Sequence, residues 1–142
     1  MKKTLALLVA LLISVGSMAQ LNVTSAHESP IENLSENLRY DSTDNTYYIV
    51  LTSSNRFDDR MFLKLGKGKE SAMATLKDLG GIIETAAMED FINVDTGFGE
   101  QYTLSKFDKS SIMVMGKGYA GHSFIYKSKL ERWSSLIETH GK

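Results

Sequence analysis

The sequence predicts an α+β domain built mainly on an antiparallel sheet, with two helices packed on one face of that sheet. Three observations predict this class: short runs of β-branched and aromatic residues, turn residues between those runs, and two stretches with helical spacing. Connections this short favour antiparallel pairing, because a parallel crossover needs about a dozen residues or more. Runs of strands followed by a helix are typical of α+β proteins rather than of doubly wound parallel sheets.

Six short runs predict the strands. They lie at residues 47–52, 61–65, 91–94, 102–107, 112–115 and 123–126. Each run is bounded by Gly, Asp, Asn or Ser, which are the usual turn residues. The sequence therefore predicts a series of hairpins rather than one long β-ribbon.

Two helices are predicted from apolar residues at helical spacing. The first helix carries Ala72, Leu76, Leu79 and Ile83 on one face, and the last carries Leu130, Trp133 and Ile137. Residues three and four apart share a helix face, so both sets should pack against the sheet. We expect the glycine pair at 80–81 to end the first helix near Leu79, because Gly commonly follows a helix end.

The first 19 residues have the order of a secretory signal peptide. Two lysines give a positive start, an apolar run at residues 5–15 follows, and Ser17 and Ala19 supply small residues before the cut. The apolar run is shorter than the roughly 20 residues of a membrane span. We therefore expect cleavage after Ala19, export to the periplasm or the extracellular space, and a product that is not an integral membrane protein.

The remaining chain divides into a polar N-terminal arm at residues 20–45 and a single α+β domain at residues 46–142. Within the arm, Ile31, Leu34 and Leu38 have helical spacing, so a short helix and a mobile tether are alternatives. Cleavage would leave 14 Lys and Arg against 17 Asp and Glu, a net charge of −3. This charge does not fit the basic footprint of a nucleic-acid-binding protein.

The absence of Cys excludes several kinds of site. A disulfide scaffold, a cysteine nucleophile, a cysteine zinc site and a cysteine-held iron–sulfur cluster all need that residue. No other cofactor motif is present, so we expect no cofactor. Stability must then come from ordinary packing of the core.

Two segments of the domain resemble each other. FDDRMFLKLGKG at residues 57–68 and FDKSSIMVMGKG at residues 107–118 are identical at five of twelve positions, without a gap. One hypothesis is a duplicated ββα unit with pseudo-repeats at 46–90 and 91–142; the alternative is chance similarity, because short patterns match easily. A duplication would place Lys67 and Lys117 at equivalent strand ends.

Three lysines are the candidates for contact with an anion or a partner: Lys67, Lys69 and Lys117. Backbone amides of a glycine-rich turn at a helix N-terminus can bind an anion, and the lysines would add positive charge. The segment is not a phosphate loop, because Glu70 stands where that motif requires Ser or Thr. The alternative is a plain turn between strand and helix.

No catalytic or metal site is predicted. His122 is the one plausible catalytic base, and Ser123 beside it should point to the other side of its strand. The acid pairs Asp58–Asp59 and Glu89–Asp90 share loops, and paired carboxylates can divide acid and base roles in glycoside hydrolysis. No two of the three histidines have the spacing of metal ligands.

These observations favour a non-catalytic binding or interaction module of the cell envelope, whose partner is a protein or an envelope component. Two alternatives remain: a small secreted hydrolase acting on glycan or peptide, and a structural subunit of the envelope. The tyrosines are too scattered to predict a carbohydrate platform, and Trp133 and the methionines fit core positions better. A structural subunit would show an exposed sheet edge or a large apolar patch.

Overall fold

The computed structural model describes residues 30–95 and 101–140, and it confirms the α+β class. The strands are β1 (Ile31–Asn33), β2 (Leu38–Asp41), β3 (Thr46–Leu51), β4 (Met61–Lys67), β5 (Phe91–Asp95), β6 (Gln101–Asp108), β7 (Ser111–Gly116) and β8 (His122–Tyr126). The helices are α1 (Gly68–Thr85) and α2 (Lys127–His140). The predicted signal peptide lies outside the described residues.

The strands form two antiparallel sheets of four strands each, where the sequence predicts one sheet. The first sheet has the order β1-β2-β3-β4 and the second has the order β5-β6-β7-β8. Because consecutive strands are neighbours throughout, both sheets are simple meanders. Leu38 faces Ile49 across the first sheet, and Leu104 faces Val114 across the second. These pairs belong to one shared core.

The helical interpretation of Ile31, Leu34 and Leu38 is wrong, because β1 and β2 occupy this segment. In β2, Leu38 and Tyr40 are buried while Arg39 and Asp41 are partly exposed, which is the alternation of a strand. The compact unit begins at Ile31, so the part of the predicted arm from residue 31 to 45 belongs to the fold. A turn at residues 42–45 then joins β2 to β3.

Helix α1 is longer than the sequence predicts. Gly80 and Gly81 do not end it, since the helix continues to Thr85. The predicted apolar faces of both helices are confirmed as buried: Ala72, Leu76, Leu79 and Ile83 on α1, and Leu130, Trp133 and Ile137 on α2. These residues join the inner faces of both sheets in one hydrophobic core. Burial of the α1 face explains why two glycines fail to break it, because packing overrides helix propensity.

Both halves of the chain have the same succession of elements, a four-stranded meander followed by a helix. The sequence similarity does not follow this topology. The segments 57–68 and 107–118 align β4 with β7, whereas β4 and β8 are the strands that lead directly into helices. Lys67 therefore precedes α1, while Lys117 lies in the turn between β7 and β8, and the two positions are not equivalent.

Within residues 30–95 and 101–140, neither helix combines the length and the hydrophobicity that a membrane-spanning helix requires.

Candidate functional site

The outer face of the second sheet, which points away from the core, carries a row of large apolar side chains. On β8, Ile125 lies in the core with no exposed surface. Successive side chains of a strand point to opposite faces. His122, Phe124 and Tyr126 therefore share the outer face.

The strand register extends this surface across the whole sheet. Phe91 on β5 faces Ser105 on β6, Ser105 faces Met113 on β7, and Met113 faces Phe124 on β8. In the next row, Met115 faces His122. We call this surface the aromatic face and define it by seven residues: Phe91, Phe107, Met113, Met115, His122, Phe124 and Tyr126.

Phe124 occupies the centre of the aromatic face. Its ring centroid lies 5.0 Å from that of Phe107 and 5.1 Å from that of His122, both in edge-to-face geometry. The Tyr126 ring lies 6.0 Å away on the other side. Aromatic pairs at these distances attract one another through their ring quadrupoles. These rings therefore pack against one another within the chain.

The aromatic face is also accessible. Phe91 is 63% exposed, and Phe107 and Tyr126 are each 47% exposed. Ser105, in contrast, is almost fully buried beneath this layer although it belongs to the same face. Contiguous apolar patches of this kind are rare on monomeric proteins and mark sites of interaction.

The outer face of the first sheet provides a comparison within the same molecule. There, Arg39, Tyr48 and Lys64 face one another in a single row across three strands. Phe62 is 37% exposed on this side and its ring lies 6.2 Å from that of Tyr48. Asn93, Thr103 and Ser105 also interrupt the outer face of the second sheet, but they are uncharged. Because Arg39 and Lys64 bring charge into the middle of the first sheet, the aromatic character of the second sheet is not a general property of the fold.

Strand β8 adds an open edge to the aromatic face, since it is the last strand of its sheet. The backbone carbonyl of His122 accepts from the Ser54 amide at 2.7 Å, and the His122 amide donates to the Ser54 hydroxyl at 3.1 Å. Both His122 groups thus point away from β7. Backbone groups alternate along a strand, so the N–H and C=O of Phe124 point the same way. Among the described residues, these two groups have no hydrogen-bond partner beyond β8.

A carboxylate clamp holds the Ser54 loop against the start of β8. Asp58 accepts hydrogen bonds from the Ser53 hydroxyl at 2.7 Å, the Gly121 amide at 2.8 Å and the Ala120 amide at 3.1 Å. The bond from Ser53, followed by those from Gly121 and Ala120, holds the pKa of Asp58 below its usual value. The ionised carboxylate is therefore a structural acceptor that fixes one end of the open edge.

A second polar network lies at the far end of α2. The Tyr47 hydroxyl hydrogen-bonds His140 Nδ1 at 2.7 Å, and His140 Nε2 hydrogen-bonds Glu32 at 2.9 Å. Burial, then the neighbouring Tyr40 and Glu32, raises the pKa of Tyr47. Tyr47 has no exposed surface, so a substrate cannot reach this phenol. The network anchors the end of α2 to the first sheet.

The three predicted lysines lie at two separate places in the fold. Lys67 ends β4, and Lys69 follows in the first turn of α1, where its Nζ donates to the backbone carbonyl of Glu138 at 2.9 Å. Lys117 lies in the turn after β7, and its backbone amide donates to Gln101. Their predicted role as an anion or partner contact stays a prediction.

The residues considered for catalysis serve other purposes in the structure. Asp58 is engaged by the clamp, and Asp90 accepts a hydrogen bond from the Ala87 amide in its own loop. The His122 ring packs edge-on against Phe124 on the aromatic face. Across residues 30–95 and 101–140, no group of three or more histidine and acidic side chains has the arrangement of a metal site.

The sequence contained a signal for the aromatic face that its interpretation missed. In His122-Ser123-Phe124-Ile125-Tyr126, aromatic residues recur at every second position while Ile125 supplies the core side. A strand with large apolar residues on both faces is buried on both faces or exposes one of them to a partner. Phenylalanines supply three of the seven residues of this surface, and the scattered tyrosines do not indicate it.

No family model, curated protein or solved structure matches the chain.

Proposed function

We propose that this protein is an exported, non-catalytic binding module whose aromatic face engages an apolar segment of a partner protein. The observation that carries the proposal is the cluster in which exposed Phe107 and Tyr126 flank the half-buried Phe124 on the outer face of the second sheet. Interface cores are enriched in aromatic residues and Met, and depleted in charged residues. The seven residues of the aromatic face have this composition.

The open edge of β8 indicates the conformation of the bound segment. A partner in extended conformation can pair with the free backbone groups of Phe124 and lay alternate side chains on the aromatic face. The Ser54 loop supports this mode, because its backbone amide already donates to the His122 carbonyl along the same edge. The partner segment would continue along β8 from the point where this loop ends.

The cellular location in this proposal rests on the N-terminal sequence. Two lysines, a short apolar run and small residues before residue 20 have the order of a cleaved export signal. The site of action would be the periplasm or the extracellular space, and the partner a protein or another component of the envelope. The absence of Cys from the chain is compatible with an oxidising compartment, since no thiol is left to react.

An envelope structural subunit would also expose apolar surface. Polymerisation through sheet edges would need two long open edges, and the outer strands of the second sheet, β5 and β8, have five residues each. The open part of β8 is also short, because Ser54 occupies its first residue. A single extended segment of a partner fits this edge better than a growing sheet does.

Site-specific photocrosslinking in the cells that produce the protein tests the proposal. A photoreactive phenylalanine analogue replaces Phe124 or Phe107 on the aromatic face, and Phe62 on the other sheet as the matched control. We expect the same protein to be captured at both positions of the aromatic face and not at Phe62. Equal capture at all three positions, or no specific product at either aromatic-face position, would refute the proposal.

A substitution experiment then links the captured product to the surface. The double variant Phe124→Ser/Tyr126→Ser should abolish capture through the analogue at Phe107, because it removes the centre of the cluster. Phe62→Ser is the control change of the same chemistry on the first sheet. The thermal unfolding of each variant is measured in parallel, so that loss of the fold cannot be mistaken for loss of the partner.

A further inference from the structure

The two helices enclose a groove on the side of the fold opposite the aromatic face. Helices α1 and α2 run antiparallel, since Lys69 at the start of α1 contacts Glu138 at the end of α2. At the other end of the groove, Lys127 pairs with Glu84 at 3.1 Å. The groove between these two contacts has a volume of about 920 Å³. Its apolar floor is formed by Met73, Leu76 and Leu130.

Gly80 and Gly81 of α1 line this groove, and the packing of the chain around them leaves room for a larger side chain. A Cβ atom added to Gly80 or Gly81 would meet no heavy atom within 4 Å. Internal packing therefore does not require a glycine at either position. Each glycine destabilises a helix interior by about 1 kcal/mol relative to Ala. Close approach of another molecule to the α1 backbone would explain both glycines.

The charged side chains along the groove indicate which molecule packs there. On α1 the charged residues that line the groove are, in order, Lys69, Glu70, Lys77 and Glu84; on α2 read backwards they are Glu138, Glu131 and Lys127. Within one chain, Lys127 and Glu84 form an ion pair at one end of the groove, and Lys69 donates to the Glu138 backbone carbonyl at the other. Lys77 and Glu131, in the middle, are exposed and belong to none of the ion pairs formed by the described residues.

We propose that the groove is the contact surface for a second copy of this chain. A twofold axis along the groove places α1 of each copy over α2 of the other, again antiparallel. In this arrangement Lys77 of one copy faces Glu131 of the second copy, and the same pair forms a second time by symmetry. The helix pairs of the two copies then stack as two layers, with the glycines allowing the close approach that small residues permit.

The dimer goes beyond the proposed function, because one assembly then has two binding faces instead of one. The core lies between the helix layer and the second sheet, and the aromatic face points away from that core. A dimer through the helices therefore carries two aromatic faces on its outer sides. Two linked binding faces raise the strength of attachment to a partner that presents several segments.

Mixing two charge-reversal variants tests the dimer. Sedimentation equilibrium measures the mass of the purified chain lacking residues 1–19. Lys77→Glu places like charges at both symmetric contacts, and Glu131→Lys does the same with the opposite sign. We expect each variant alone to dissociate about tenfold more readily than the wild type, or more. An equimolar mixture of the two should restore the dimer, because both contacts are then complementary.

The mixture distinguishes contact between copies from contact within one chain, since a contact within one chain cannot be restored by mixing. Lys109→Glu, in the exposed turn after β6, is the control reversal and should leave association unchanged. Gly81→Leu should remain folded and monomeric, because its side chain fills the groove. A wild-type chain that stays monomeric at about 1 mM, or a mixture that fails to associate, would overturn the proposal. Neither result depends on the partner of the aromatic face.

Discussion

Replacing both groove glycines by alanine should stabilise the isolated chain. Gly80 and Gly81 lie inside α1, which runs on to Thr85, and a Cβ atom at either position has open space around it. Each alanine removes a helix-propensity penalty of about 0.5–1 kcal/mol. No burial term is added, because the new methyl groups touch nothing. The double variant should therefore gain about 1–2 kcal/mol in free energy of unfolding.

Urea unfolding at a low protein concentration measures this gain, because association then contributes little to the stability. In a domain of this size the gain corresponds to an increase in Tm of about 4–8 °C. Gly121→Ala is the matched control: its Cβ would lie 2.5 Å from both the Asn55 backbone nitrogen and Ser53 Oγ, so it should destabilise. A neutral or destabilising effect of the double alanine variant would show that the groove is not open at the α1 backbone.

Three further predictions concern the polar networks and the clamp. Asp58→Asn should lower stability at neutral pH and flatten its decline in acid. Because the folded-state pKa of Asp58 lies below the usual value of 3.8, its contribution to the free energy of unfolding is present above that value and is lost as the pH falls through the folded-state pKa. Urea midpoints from pH 6 to pH 3 measure this loss. Parallel curves for variant and wild type would contradict the prediction. Tyr47→Phe should cost about 1–3 kcal/mol, because it leaves the buried side of His140 without its hydroxyl partner; thermal unfolding measures the loss, and an unchanged Tm would contradict it. Tyr47→Phe and His140→Ala should be non-additive by about 0.5–3 kcal/mol in a double-mutant cycle, whereas strictly additive effects would mean that the two side chains do not act as one network.

The elements that local patterns determine were predictable from the sequence. The runs that became β3 to β8 are rich in β-branched and aromatic residues, and the buried positions of both helices recur every three or four residues. These periods reflect which side of an element meets the core, so they carry structural information without any knowledge of the partner element. The α+β class follows from them.

The errors arose where a short pattern fits two structures. Ile31, Leu34 and Leu38 have helical spacing, but Leu34 lies in the connection between β1 and β2 and packs against the core from there. The alternation of Leu38, Arg39 and Tyr40 was the better signal and was too short to decide the matter. The glycine pair was predicted to end the first helix near Leu79, but burial of the apolar face keeps the helix continuous to Thr85.

The candidate site depended on information that a single sequence does not contain. Period-two alternation shows that Phe124 and Ile125 lie on opposite faces, but not which face the rest of the chain covers. The clamp joins Asp58 to amides at Ala120 and Gly121, more than sixty positions away. Such long-range contacts depend on the topology, and they decide how much of the β8 edge stays open.

The proposed function requires a partner that binds on the aromatic face along β8. A calorimetric titration of the protein captured through Phe124 measures this binding with the wild type, Phe124→Ser/Tyr126→Ser and Phe62→Ser. We expect the double variant to raise the Kd by about tenfold or more, since central aromatic residues carry most of the energy of an interface, and Phe62→Ser to leave it unchanged. An unchanged Kd for the folded double variant would contradict the claim and place the binding surface elsewhere on the molecule.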